Sequence, residues 1–165
     1  MGSTSTRIFL MLAILFSGLL AGSNIDRAIA AMPAWQQVGA TAWAEFSRHA
    51  DLGNGIVLYP LEALGAMLLT LIAAISFHFD KNAARVARMP IYAAVVLAAC
   101  GLGLTAKAAP IMLGIRSVSD PAQLQRAFEG FWYWGNLRAL CQISTFLALL
   151  SAVAMLWRNV KQPDR

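Results

Sequence analysis

Four stretches of this chain are so long and so apolar that only helices wrapped in an apolar medium can hold them. They cover residues 8–25, 56–79, 91–112 and 137–157. Crossing the hydrocarbon core of a bilayer, about 30 Å thick, takes roughly 20 mostly apolar residues. A buried strand is far shorter, and a surface helix carries a polar face. Lipid offers no water to a backbone amide, so each segment must pair its own, which selects the helix. Composition agrees. The chain is 59% hydrophobic and 13% charged, where soluble domains are about 45–50% and about 25%. The expected fold is all-α. It is an integral membrane up-down four-helix bundle, one domain over residues 1–165, with an amphipathic helix in the first outer loop.

The first run has two readings. Arg7, an apolar stretch and the small residues Ala28-Ile29-Ala30 resemble a secretory signal peptide with its cleavage site. Asn24, Asp26 and Arg27 interrupt that pattern and favour a retained helix.

Charge sets orientation. One side carries Arg7, Lys81, Arg85, Arg88, Arg158, Lys161 and Arg165; the other carries Arg27, Arg48, Arg116 and Arg126. The side richer in lysine and arginine is cytoplasmic. Both termini are then inside, in a multi-pass protein of bacterial inner-membrane type. The net charge of +5 reflects this topology and the anionic lipid it meets. The basic residues form no dense patch with interleaved aromatics, which argues against nucleic acid.

The costly residues gather at one depth. Asp26 ends the first helix, Glu62 lies early in the second, Lys107 late in the third, and Arg138 opens the fourth. Ionisable groups at such depth usually face a bundle interior and mark function. Helical spacing groups Ala13, Ser17 and Asn24; Tyr59, Glu62, Ala66, Ala73 and Ser76; Cys100, Gly103 and Lys107; and Trp134, Arg138, Cys141, Gln142 and Thr145. Each set is expected to turn inward, pairing Glu62 with Lys107 or Arg138. The bland alternatives are snorkelling cations, an aromatic belt at Trp132, Tyr133 and Trp134, and an ion pair that only fixes helix packing.

In the first outer loop, Trp35, Val38, Ala42, Phe46 and His49 recur at helical spacing. The expected amphipathic helix lies over the bundle mouth, with His49 on its apolar face near Asp51. Several chemistries are excluded. His49 and His78 lie on opposite sides and cannot share a haem. No phosphate loop or nucleophile elbow exists. Cys100 and Cys141 differ by about 9 Å in height, beyond the reach of a disulfide. No metal or cofactor is expected.

Gly18 to Gly22, Pro33, Trp43, Phe46, Asp51, Trp134, Asn136 and Arg138 carry a resemblance. The chain resembles the anthrone oxygenase-like family of small four-helix membrane proteins, from about Phe16 to Trp157. That resemblance implies cofactor-independent oxygenation of a lipophilic aromatic molecule. On that expectation the catalytic candidates are Glu62 or His49 as base, and Arg138 or Lys107 as the oxyanion's partner. Trp43, Tyr59, Trp134, Asn136 and Asn24 are the candidate substrate contacts. Membrane lipid, a lipophilic small molecule and a second copy of the chain are the expected partners. The alternative is a non-enzymatic membrane module that assembles with a partner. A transporter fits worst, because no inverted repeat is visible.

Overall fold

The computed structural model describes residues 3–160. Lys161 and Arg165, counted above toward orientation, lie outside the described residues. The chain forms α1 (Thr4–Asp26), a wide π turn (Arg27–Ala31), α2 (Met32–Val38), α3 (Ala40–His49), a second π turn (Ala50–Asn54), α4 (Gly55–Phe79), a 3-10 turn (Arg85–Ala87), α5 (Arg88–Gly114) and α6 (Pro121–Val160). Among the described residues there is no strand. Four helical stretches are long and apolar enough to cross a membrane.

The long helices alternate in direction and stand in the ring α1–α4–α5–α6. One end of the bundle carries Ser3, the α4–α5 connection and the last turns of α6. The other end carries α2, α3 and the α5–α6 connection; it is called the mouth here.

Small residues line much of the bundle interior, and many leucines face outward. Ala13, Ala73, Ala74, Ala94 and Ala152 are buried, while Leu12, Leu15, Leu61, Leu64 and Leu68 are exposed. This is the packing expected of helices that cross lipid, where burying leucine gains little and close approach through small residues takes over. The Phe16 ring rests where a side chain at Gly65 would begin, 2.9 Å from an ideal Cβ. Phe146 sits likewise on Gly18 at 3.0 Å, and Gln142 on Gly101 at 3.3 Å.

The fourth helix starts sixteen residues before the expected position 137, at Pro121. Asp120 caps it, accepting from the Gln123 N–H at 3.1 Å. Its 40 residues reach about 60 Å at 1.5 Å per residue. The extension is amphipathic rather than apolar, so hydropathy does not mark it. It packs Leu124, Phe128 and Phe131 against Met32, Trp43 and Ala44 from α2 and α3, Ala108 and Met112 from α5, and Ile115 just after it. The mouth therefore has an apolar core of its own.

Two expected faces are corrected. In α3 the buried residues are Ala40, Trp43, Ala44 and Ser47, while Val38, Phe46 and His49 are exposed. Gly39, at φ 105°, breaks the helix between Trp35 and Ala42. The apparent stripe is thus split over two helices with different axes. In α5, Cys100, Gly103 and Lys107 are exposed, and Ile91, Ala94, Gly101, Ala108 and Met112 face inward. Small residues occur on both sides of α5, and contact with α6 decides between them.

The end opposite the mouth holds a polar latch that the sequence reading passed over. The Asp80 carboxylate accepts from the Ser3 N–H and, at 2.8 Å, from the Thr6 hydroxyl. Thr6 also meets the Ser76 hydroxyl at 3.1 Å. Partial burial pushes the Asp80 carboxyl up, but donors from Ser3, Thr6 and Asn82 outweigh it and hold it below the usual carboxylate range.

Two outcomes follow from this packing. Gly65→Val should push α1 from α4 and cost about 1–3 kcal/mol, as overpacking does, read as a lower thermal midpoint in detergent. Asp80 is ionised in the fold at lower pH than in the unfolded chain. Its contribution is therefore complete above the unfolded pKa and lost as pH falls through the folded one. The midpoint gap between wild type and Asp80→Asn should close on acidification below about pH 4.

Candidate functional site

The mouth is assembled from four segments. The last turn of α1 and the π turn after it supply Asn24 and Arg27. The second π turn supplies Asp51, beside Gly53, whose backbone leaves helical geometry and kinks the chain between α3 and α4. The first turns of α4 supply Tyr59 and, one turn on, Glu62. Helix α6 supplies Phe131, Trp132 and Arg138.

Arg27 is the hub. One of its terminal nitrogens donates to Asp51 Oδ1 at 2.5 Å and to the Tyr59 hydroxyl at 3.1 Å. Its guanidinium carbon lies 4.9 Å from the Tyr59 ring centre and 5.7 Å from that of Phe131. The Arg138 guanidinium lies 5.9 Å from the same Phe131 ring. One aromatic ring thus serves two cations, each gaining from the ring quadrupole.

The charges of this group are not all paired. Asp51 is ion-paired with Arg27. No carboxylate is ion-paired with Arg138 among the described residues. Arg138 Nε, Trp132 Nε1 and Glu62 Oε2 are buried without a hydrogen-bond partner. Buried polar atoms are partnered in the great majority of cases, so each exception calls for a cause. Asn24, Arg27, Phe131, Trp132 and Arg138 border a cavity of about 10 Å³, the size of a single small group. The arrangement can hold an anionic oxygen between two guanidinium groups, over an aromatic face.

Sequence-derived candidates separate sharply here. Asn24, Tyr59 and Arg138 come together. Asn24 Nδ2 is already committed to the Leu20 carbonyl at 2.7 Å. Glu62 is half-buried at the same end, and neither expected pair, with Lys107 or with Arg138, forms. Lys107 is on the outer face of α5. His49 is exposed and meets Glu45 at 3.2 Å, away from Asp51. Trp43 is 1% exposed, enclosed by Phe128 at 5.3 Å and Phe131 at 5.8 Å. Trp134 is half-buried against the mouth core, edge-on to Tyr133. Asn136 is exposed.

Arg27 and Asp51 are the members that sequence reading missed. In the sequence Arg27 reads as a topology charge and as a break in the signal-peptide pattern, and Asp51 as a support for His49 and a carrier of the family resemblance; neither reads as a site residue. A signal existed for Asp51. Counted from Gly39, it continues the buried series Ala40, Trp43, Ala44 and Ser47 at helical steps.

The Arg27–Asp51 pair yields a measurable outcome. Asp51→Asn strands a cation whose side chain is 24% exposed. Removing one partner of a fully buried pair costs about 3–5 kcal/mol, so partial exposure puts the expectation at about 2 kcal/mol. The double variant Arg27→Met, Asp51→Leu should recover most of that loss in thermal unfolding.

Neither a family model, nor a curated protein, nor a solved structure matches this chain.

Proposed function

We propose that this chain is a multi-pass membrane protein, both termini cytoplasmic, whose outer mouth binds and oxidises a lipophilic aromatic molecule with an acidic C–H conjugated through the ring to a carbonyl. The observation that carries the reading is Arg138, a half-buried arginine whose guanidinium lies by Phe131, with a buried, unpartnered Nε and no ion-paired carboxylate. A cation placed so is stabilised by an anion that arrives with a ligand.

The resemblance to anthrone oxygenase-like proteins supplies a chemistry that fits. The substrate C–H gives its proton to the Glu62 carboxylate, which has a free oxygen. The resulting enolate oxygen rests against Arg138, where a preformed donor is most effective. The carbanion carbon then forms a bond to molecular oxygen. The peroxide anion takes the proton back from Glu62; the hydroperoxide then gives up the remaining C–H hydrogen as its O–O bond breaks, releasing water and leaving a carbonyl. Molecular oxygen is the only oxidant this sequence needs. A substrate of three fused rings needs a pocket of a few hundred Å³, so binding entails opening the mouth around Trp132.

A second reading has its own support. The mouth core is filled, and Arg27, Asp51 and Tyr59 satisfy one another. A structural module that assembles with a partner needs nothing more.

Turnover of anthrone-like substrates under oxygen separates the two. Loss of a positioned base or oxyanion donor typically costs about 10²-fold or more. Glu62→Gln and Arg138→Gln should each show such a loss in kcat, while His49→Ala should match wild type. Wild-type protein inert toward every phenolic and polyketide substrate would favour the assembly module.

A further inference from the structure

Beneath the mouth, α1 and α6 bury a second polar group that the Arg138 site does not use. Ser17 and Gln142 are 2% and 6% exposed, and Thr145 is 3% exposed. Thr145 is satisfied by the Cys141 carbonyl at 2.8 Å. Ser17 Oγ and Gln142 Oε1 are buried with no hydrogen-bond partner. Gly101 is what lets the Gln142 side chain lie there, since a Cβ at that position would come within 3.3 Å of Gln142 Cγ.

Ser17, Gln142 and Thr145 line one cavity of about 20 Å³, room for one oxygen-sized group. Its other walls include Ala63 and Met67 of α4 and Ala98 and Leu102 of α5. These four are only half-buried. Helices α4 and α5 are also the neighbours in the ring that touch least. The seam between them connects the cavity to whatever surrounds the bundle.

The polar atoms restrict the guest. A glutamine oxygen accepts and cannot donate, whereas a serine hydroxyl does both. An O–H group satisfies the two together, donating to Gln142 Oε1 and accepting from Ser17. A ketone or ether oxygen leaves Gln142 Oε1 unmet. A cation or an anion finds no counter-charge among the lining residues. The apolar, small-walled seam suits a hydrocarbon body. We propose that this cavity binds the hydroxyl of a lipid-soluble alcohol or phenol, whose hydrocarbon part lies between α4 and α5. The site is distinct from the mouth, since Gln142 is about 6 Å below Arg138 along α6. It requires only that the bundle sit in a bilayer.

The test uses the full chain in phosphatidylcholine nanodiscs. The probe is a long-chain alcohol bearing a diazirine, compared with the alkane of equal length bearing the same diazirine. Labelling is mapped by mass spectrometry. The alcohol should exceed the alkane about three- to tenfold at peptides containing Met67 and Leu102, the range that intramembrane hydrogen bonds provide. Gln142→Leu should abolish the excess. Ala98→Leu, which fills the seam and leaves the polar pair intact, should also abolish it, covering the case where Gln142→Leu does not fold. Arg138→Gln should retain it. Equal labelling by the two probes would mean that water alone fills the cavity, and would overturn the proposal. An excess surviving both cavity variants, or lost only in Arg138→Gln, would overturn it as well.

Discussion

Helices that approach through alanine and glycine impose their own logic on this molecule. With many leucines given to the outside, large apolar side chains such as Leu10, Ile91 and Leu149 fill the bundle interior at only some positions. Phe16 and Phe146 reach in only because Gly65 and Gly18 make room for them. Where neither ring reaches, Gln142 takes the space over Gly101, opposite Ser17. The unpartnered oxygens inside the bundle thus follow from the same close packing that holds it together.

The mouth obeys a different rule. There α2, α3 and the extension of α6 bury aromatic and aliphatic bulk as a water-soluble protein does. Charge sits at the boundary between the two regimes. Arg27 joins the end of α1 to the kink between α3 and α4 through Asp51 and Tyr59. That closure uses the nearest carboxylate and leaves Arg138 facing a cleft without one. If the bundle spans a bilayer, this boundary falls near the lipid–water interface, where a molecule can arrive from either medium.

Most of the long helices were legible in the sequence because hydropathy reports them directly. The expected 56–79 is Gly55–Phe79 in the structure, and 91–112 is Arg88–Gly114. The inward faces of α1, α4 and α6 were also legible, because their polar residues fall on one side. Helix α5 was not, since small residues line both of its sides and cannot say which one meets α6. The loop helix was misread for a local reason. A single glycine in a left-handed conformation shifts the register, so His49 turns outward and Trp43 inward. At the site, Arg138, Tyr59 and Asn24 were found by depth and spacing. Arg27 and Asp51 lie 24 residues apart, and only the tertiary fold brings them together.

Helix α6 runs unbroken from Pro121 to Val160, and both unusual regions hang on it. Phe131 in the mouth core, Arg138 at the cleft and Gln142 at the inner cavity are fixed to one rod. A rod does not bend cheaply within two turns. A tilt of α6 at the cleft therefore moves Gln142 with it, so the two cavities share one lever arm.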